Sequence, residues 1–152
     1  MKAKAIVAGA LLGGAGDLFF AIAWAVAHDM APQKLLQVIA SGWFGQAAFD
    51  GGWNTAAIGL ASHFGIALVV AALFSALATR ISALLQRPLV SGMLLGIATF
   101  LVMRLVVLPL SAFPFPVKMF TVGAGFDLLS HMFLFGTPIV FARRYFDGAP
   151  SA

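Results

Sequence analysis

Long runs of apolar side chains alternate along the chain with short polar breaks. About 20 mostly apolar residues are needed to cross the hydrocarbon core of a bilayer. Four stretches reach that length, at residues 5–27, 55–78, 89–110 and 120–142. Arg80 and Gln86-Arg87-Pro88 form the turn between the second and third, with Pro88 placed for a helix first turn. Leu108-Pro109 closes the third, and the Pro-rich loop Phe113-Pro114-Phe115-Pro116 follows it. The segment 31–50 is too polar to span. Within it, Pro32 to Ala40 places Leu35, Leu36 and Ile39 on one face and Lys34 and Gln37 elsewhere, which predicts a short interfacial helix in the headgroup plane. Asp50-Gly51-Gly52 turns the chain into the second span.

Composition agrees. The 152 residues are 62% hydrophobic and 9% charged, with a mean hydropathy of +1.02, whereas soluble domains are nearer half apolar and a quarter charged. One all-α domain of four transmembrane helices, residues 1–152, is therefore expected. This excludes a soluble nucleotide enzyme, a disordered tail and a disulfide scaffold. Cysteine is absent, which removes thiol and CxxC chemistry. The net charge of +4 is spread over nine Lys and Arg with no basic cluster, so nucleic acid is not an expected partner. Lys2, Lys4, Arg80, Arg87, Arg143 and Arg144 fall on one side of the spans, and Lys34 and Lys118 on the other. By the positive-inside rule both termini are cytoplasmic, and Trp24, Trp43 and Trp53 mark the opposite interface. The start Met1-Lys2-Ala3-Lys4 has the look of a signal-peptide n-region, but the apolar stretch that follows is too long for one and contains Asp17.

A weak internal repeat runs through the spans. Val7-Ala8-Gly9-Ala10-Leu11-Leu12-Gly13 matches Val90-Ser91-Gly92-Met93-Leu94-Leu95-Gly96 at five of seven positions, and Ser62-His63 matches Ser130-His131. A tandem duplication of a two-helix hairpin accounts for both, with its pseudo-two-fold along the membrane normal. Gly9 with Gly13 and Gly92 with Gly96 are small-residue ridges that let helices approach closely. They suit packing within the bundle, or a homodimer seam.

The candidate chemistry lies in the residues that do not belong in lipid: Asp17, His63, Arg104, Asp127 and His131. At 1.5 Å per residue they fall in one slab, roughly 10–18 Å in from the non-cytoplasmic side. A charge at a helix centre costs about 2.5–3.5 kcal/mol on insertion scales, so these groups are expected to face inward and pair. Arg104 neutralises only one aspartate. The other must bind a cation, meet a protonated histidine or hold a proton itself. A purely structural network is the alternative, with the histidines capping an Arg104–carboxylate pair. His63 and His131 together also raise a b-type haem held by two axial histidines; otherwise no cofactor or metal is expected. No Walker A, HExxH, GxGxxG, EF-hand or G-x-S-x-G pattern occurs, and adjacent Ser-His pairs on a helix do not face each other, so an enzyme is not expected.

The order Ser62-His63-Phe64-Gly65-Ile66-Ala67, Gly92-Met93-Leu94-Leu95-Gly96, Val107-Leu108-Pro109-Leu110, Ser130-His131, Pro138-Ile139-Val140 and Arg143-Arg144 resembles the YagU-like group of small bacterial inner-membrane proteins, whose function is unknown. The likeness covers about two thirds of the chain, from the second span to Arg144; Arg104 and the first loop depart from it. It implies an inner-membrane location and no mechanism. Taken together, these observations predict an integral membrane protein that binds or translocates a proton, ion or small solute, alone or as a homodimer. The rival is a structural or accessory subunit of a larger membrane complex, docked through its glycine ridges.

Overall fold

Residues 2–147, the part of the chain that the computed structural model describes, form six α-helical elements and a short 3-10 helix at Gly45–Phe49. These are α1 (Lys2–Ala27), α2 (Pro32–Phe44), α3 (Gly52–Ala78), the single turn α4 (Ala83–Gln86), α5 (Pro88–Leu110) and α6 (Val122–Phe146). Among them α1, α3, α5 and α6 are long and apolar enough to cross a membrane. The fourth reaches past the expected residue 142, because Arg143 and Arg144 continue the helix. Arg143 is buried.

Local chemistry sets the helix ends. The amide of Met30 donates to the Ala25 carbonyl and that of Asp29 to Val26, while Asp29 adopts φ 59. This is a Schellman closure of α1 with Asp in the left-handed position that Gly usually fills. Proline opens both α2 and α5, where its missing N–H costs nothing. The Thr121 side chain caps α6 by accepting from the Ala124 amide at 3.0 Å.

Prolines inside the spans act differently. Pro109 lies two residues beyond a π-helical turn, Met103–Val107, in α5, and Pro138 two residues beyond another, His131–Gly136, in α6. A proline has no N–H to donate and its ring presses on the carbonyl four residues back. The preceding turn widens instead of breaking, and α5 continues to Leu110 rather than stopping at Pro109. Each wide turn carries one of the polar residues, Arg104 or His131.

The long helices pack in the order α3, α1, α6, α5. Lipid supplies no hydrophobic drive between helices, so close van der Waals packing of small residues must hold them. A methyl group at Gly13 would lie 2.6 Å from the Phe135 carbonyl oxygen, and one at Gly9 3.2 Å from Ile139 Cα. On α5, Gly92 packs on Thr137 and Gly96 on the His131 carbonyl. Both glycine ridges are thus occupied by α6. Of the two uses that these ridges suit, packing within the bundle is the one found in the protomer.

The packing leaves one side open. α1 runs along α6, but α3 and α5 do not pack closely on each other. Between them lies an apolar cleft of about 670 Å³.

Helix α2 packs along α3 instead of standing apart from the spans. Its Leu36 main chain fills the space that a side chain at Gly59 would need. Gln37, expected away from the apolar face, is buried at 5% exposure. Its amide donates to the Gly52 carbonyl at 3.1 Å and reaches Thr55 Oγ1 at 3.4 Å, so a polar side chain is buried because it satisfies the turn into α3. At its far end, the Gly42 carbonyl accepts from the Ala112 amide beyond α5. Helix α2 therefore bridges α3 to the end of α5.

Candidate functional site

Beneath α2 is a cavity of about 320 Å³, bordered by α1, α2, α3, α5 and α6. Asp17, His63, Arg104, Asp127 and His131 all border it. The sequence placed them at similar depth; the fold turns all five toward one space.

Four of the five form a chain of contacts. Arg104 on α5 donates to Asp127 Oδ2 on α6 through Nη2 at 2.8 Å and Nε at 3.3 Å, while its Nη1 donates to the Lys118 carbonyl at 2.7 Å. Every guanidinium nitrogen is engaged. The cation also lies 4.9 Å from the centre of the Phe100 ring. Asp127 Oδ1 is 3.2 Å from His131 Nδ1, one helical turn away. The same nitrogen is 3.5 Å from Asp17 Oδ1 on α1 and 2.9 Å from the Asp127 main-chain carbonyl. A carbonyl oxygen only accepts, so Nδ1 carries a hydrogen. The imidazole is flanked by Phe100 and Phe135, with ring centres 5.9 and 5.7 Å away.

Asp17 is the most enclosed of these carboxylates, at 7% exposure. Its Oδ1 accepts from the Ser130 hydroxyl at 2.6 Å. The same oxygen takes the contact with His131 Nδ1, and the side chain borders the cavity.

His63 stands apart from the chain of contacts. Its Nε2 donates to the Gly14 carbonyl at 2.9 Å, tying α3 to α1. That tautomer leaves only Nδ1 to bind a metal, and the ring packs edge-on against Phe64. The two Ser-His pairs differ accordingly. Ser130 and His131 both reach Asp17, whereas Ser62 donates within α3 to Ile58 and accepts from the Trp43 indole at 3.0 Å. Trp43 also borders the cavity while remaining exposed.

No spacing along the chain suggests a metal site, yet Asp17, Asp127 and His131 each bring a ligand-type atom within 4.8 Å of the others. Charges decide what this group can hold. Two carboxylates against one guanidinium leave one negative charge. A proton on His131 or a bound cation cancels it. A transition-metal ion is poorly served, because the nearest His131 nitrogen carries a hydrogen directed at the Asp127 carbonyl.

Two features of the site escaped sequence reasoning. The hydrogen bond from Ser130 to Asp17 joins residues 113 positions apart, and no local pattern signals it. The π turns had a signal in Pro109, read only as the end of a span, and in Pro138, read only as part of the family resemblance. No protein-family model matches the chain, and neither a curated protein nor a solved structure matches it.

Proposed function

We propose that this protein binds a small cation in exchange for a proton within the membrane, with Asp17 as the principal cation ligand and His131 as the proton carrier. The supporting observation is the single uncompensated negative charge of the Asp17–His131–Asp127–Arg104 chain beside a cavity. With His131 doubly protonated the site is neutral and closed to cations. When the imidazole releases that proton, the Asp17 and Asp127 carboxylates attract one positive charge. Burial makes the exchange obligatory, since an unbalanced charge is costly in a low-dielectric surround. The π turns support this reading, because such turns are frequent at functional sites and both polar examples lie in them. The asymmetry of basic residues supports an inner-membrane protein with cytoplasmic termini.

The test is proton movement in proteoliposomes that enclose a pH-sensitive dye. An imposed gradient of small cations is expected to drive proton counterflow with the wild-type protein and none with Asp17→Asn. Equal dye responses from loaded and protein-free vesicles would overturn the proposal. Absence of flux together with a stably co-purifying membrane partner would favour the accessory-subunit reading.

A further inference from the structure

We infer that the cations taken by this site are amphiphilic: organic ammonium ions whose apolar tail lies in the cleft between α3 and α5. The inference rests on the cation-binding reading above and adds the ligand class. Its first support is continuity. Trp43, Ser62, Ile66, Thr99, Met103 and Val107 border both the charged cavity and the cleft, so the two spaces adjoin. From Ser62 to Leu77 the cleft follows α3 for about 22 Å at the helical rise, enough for an extended hydrocarbon tail. Beyond the shared residues its walls are apolar, including Val69, Leu73, Leu77 and Val102.

Charge complementarity selects the head. With His131 singly protonated the cavity has one uncompensated negative charge, and a phosphate or carboxylate head then meets repulsion from Asp17 and Asp127. Arg104 already commits three of its five N–H groups to Asp127 and Lys118, and its charge is offset by the Asp127 carboxylate. An ammonium head instead meets the Asp17 and Asp127 carboxylates, and the aromatic residues Trp43 and Phe135 line the same space. The open α3–α5 side gives such a molecule a lateral path from the bilayer, with its tail never leaving an apolar medium.

The experiment measures binding calorimetrically, using the full-length protein in nanodiscs of zwitterionic lipid. Three probes are compared: dodecyltrimethylammonium, tetramethylammonium and dodecyl sulfate. Protein-free nanodiscs of the same lipid correct for partition into lipid. The long-chain ammonium is expected to bind at least tenfold more tightly than tetramethylammonium, and dodecyl sulfate is expected not to bind. Gly65→Phe and Ala98→Trp fill the cleft without touching the cavity, and a side chain at Gly65 meets open space. Both are expected to weaken the long-chain probe tenfold and to leave tetramethylammonium unchanged. Undiminished long-chain binding in both cleft variants overturns the inference while the cation site stands. Equal binding of dodecyl sulfate also overturns it, and marks the cleft as a seat for ordinary lipid chains. If Asp17→Asn binds both ammonium probes as well as wild type does, the cation-binding reading itself fails.

Discussion

Ser130 Oγ donates a hydrogen bond of 2.6 Å to Asp17 Oδ1, joining the last span to the first. The bond holds a buried carboxylate at the α1–α6 contact, beside the cavity. Removing it strips a hydrogen bond from a charged acceptor, an interaction worth about 1.5–3 kcal/mol. Ser130→Ala is therefore expected to lower unfolding stability in detergent by that amount. An unchanged denaturation midpoint would show that the bond contributes nothing.

Arg104 and Asp127 form a charge pair in which each side chain remains partly accessible, at 20% and 38%. Truncating either one leaves its partner unmatched. Arg104→Ala and Asp127→Ala are each expected to destabilise the protein, and the double variant is expected to recover part of the summed loss. The coupling expected for contacting residues is about 0.5–3 kcal/mol. Strict additivity in the double-mutant cycle would mean that the two charges do not interact.

Glycines of the last two spans should respond in opposite ways. A side chain at Gly96 would collide with the His131 main chain, whereas one at Gly125 meets nothing within 4 Å. Gly96→Ala must push α5 from α6, and overpacking of this kind costs about 1–3 kcal/mol or more. Gly125→Ala is expected to be neutral or stabilising by up to about 1 kcal/mol, from helix propensity alone. Thermal unfolding of the two variants side by side checks both signs, and equal melting temperatures would refute the packing assignment.

The wide turn in α6 depends on Pro138. With alanine there, the missing N–H is restored and the clash with the carbonyl four residues back disappears. Pro138→Ala is expected to tighten His131–Gly136 into an α-helical turn and raise the melting temperature. It should also rotate His131 away from Asp17 and reduce proton counterflow. A more stable protein with undiminished flux would separate the turn from the site.

Gln37 closes the turn between α2 and α3 through its amide. Gln37→Leu retains the volume and removes the donors. Faster hydrogen exchange is expected over residues 45–52, with the exchange of α6 unaltered. Exchange rates matching wild type in that turn would exclude the role.

Several outcomes were legible without coordinates. The four spans follow from hydropathy and length, which are local properties, and Pro32 and Pro88 open helices for local reasons. The five polar residues could be singled out because a charge in an apolar run is costly wherever its helix packs. Gln37 could not be assigned this way, because the carbonyl and hydroxyl that justify its burial lie 15 and 18 residues away. The fate of the glycine ridges was equally hidden: a ridge shows that something approaches, not which helix.

What the sequence by itself determined is which segments suit a bilayer and which side chains must find partners there, since the cost of placing a group in lipid belongs to the group. Tertiary structure alone decided the partners. Helix rotation and order set whether Asp17 meets Ser130 or Arg104, and whether α3 closes on α5 or leaves a cleft. Those choices depend on contacts between residues far apart in the chain, where a few ångströms separate a paired charge from an open site.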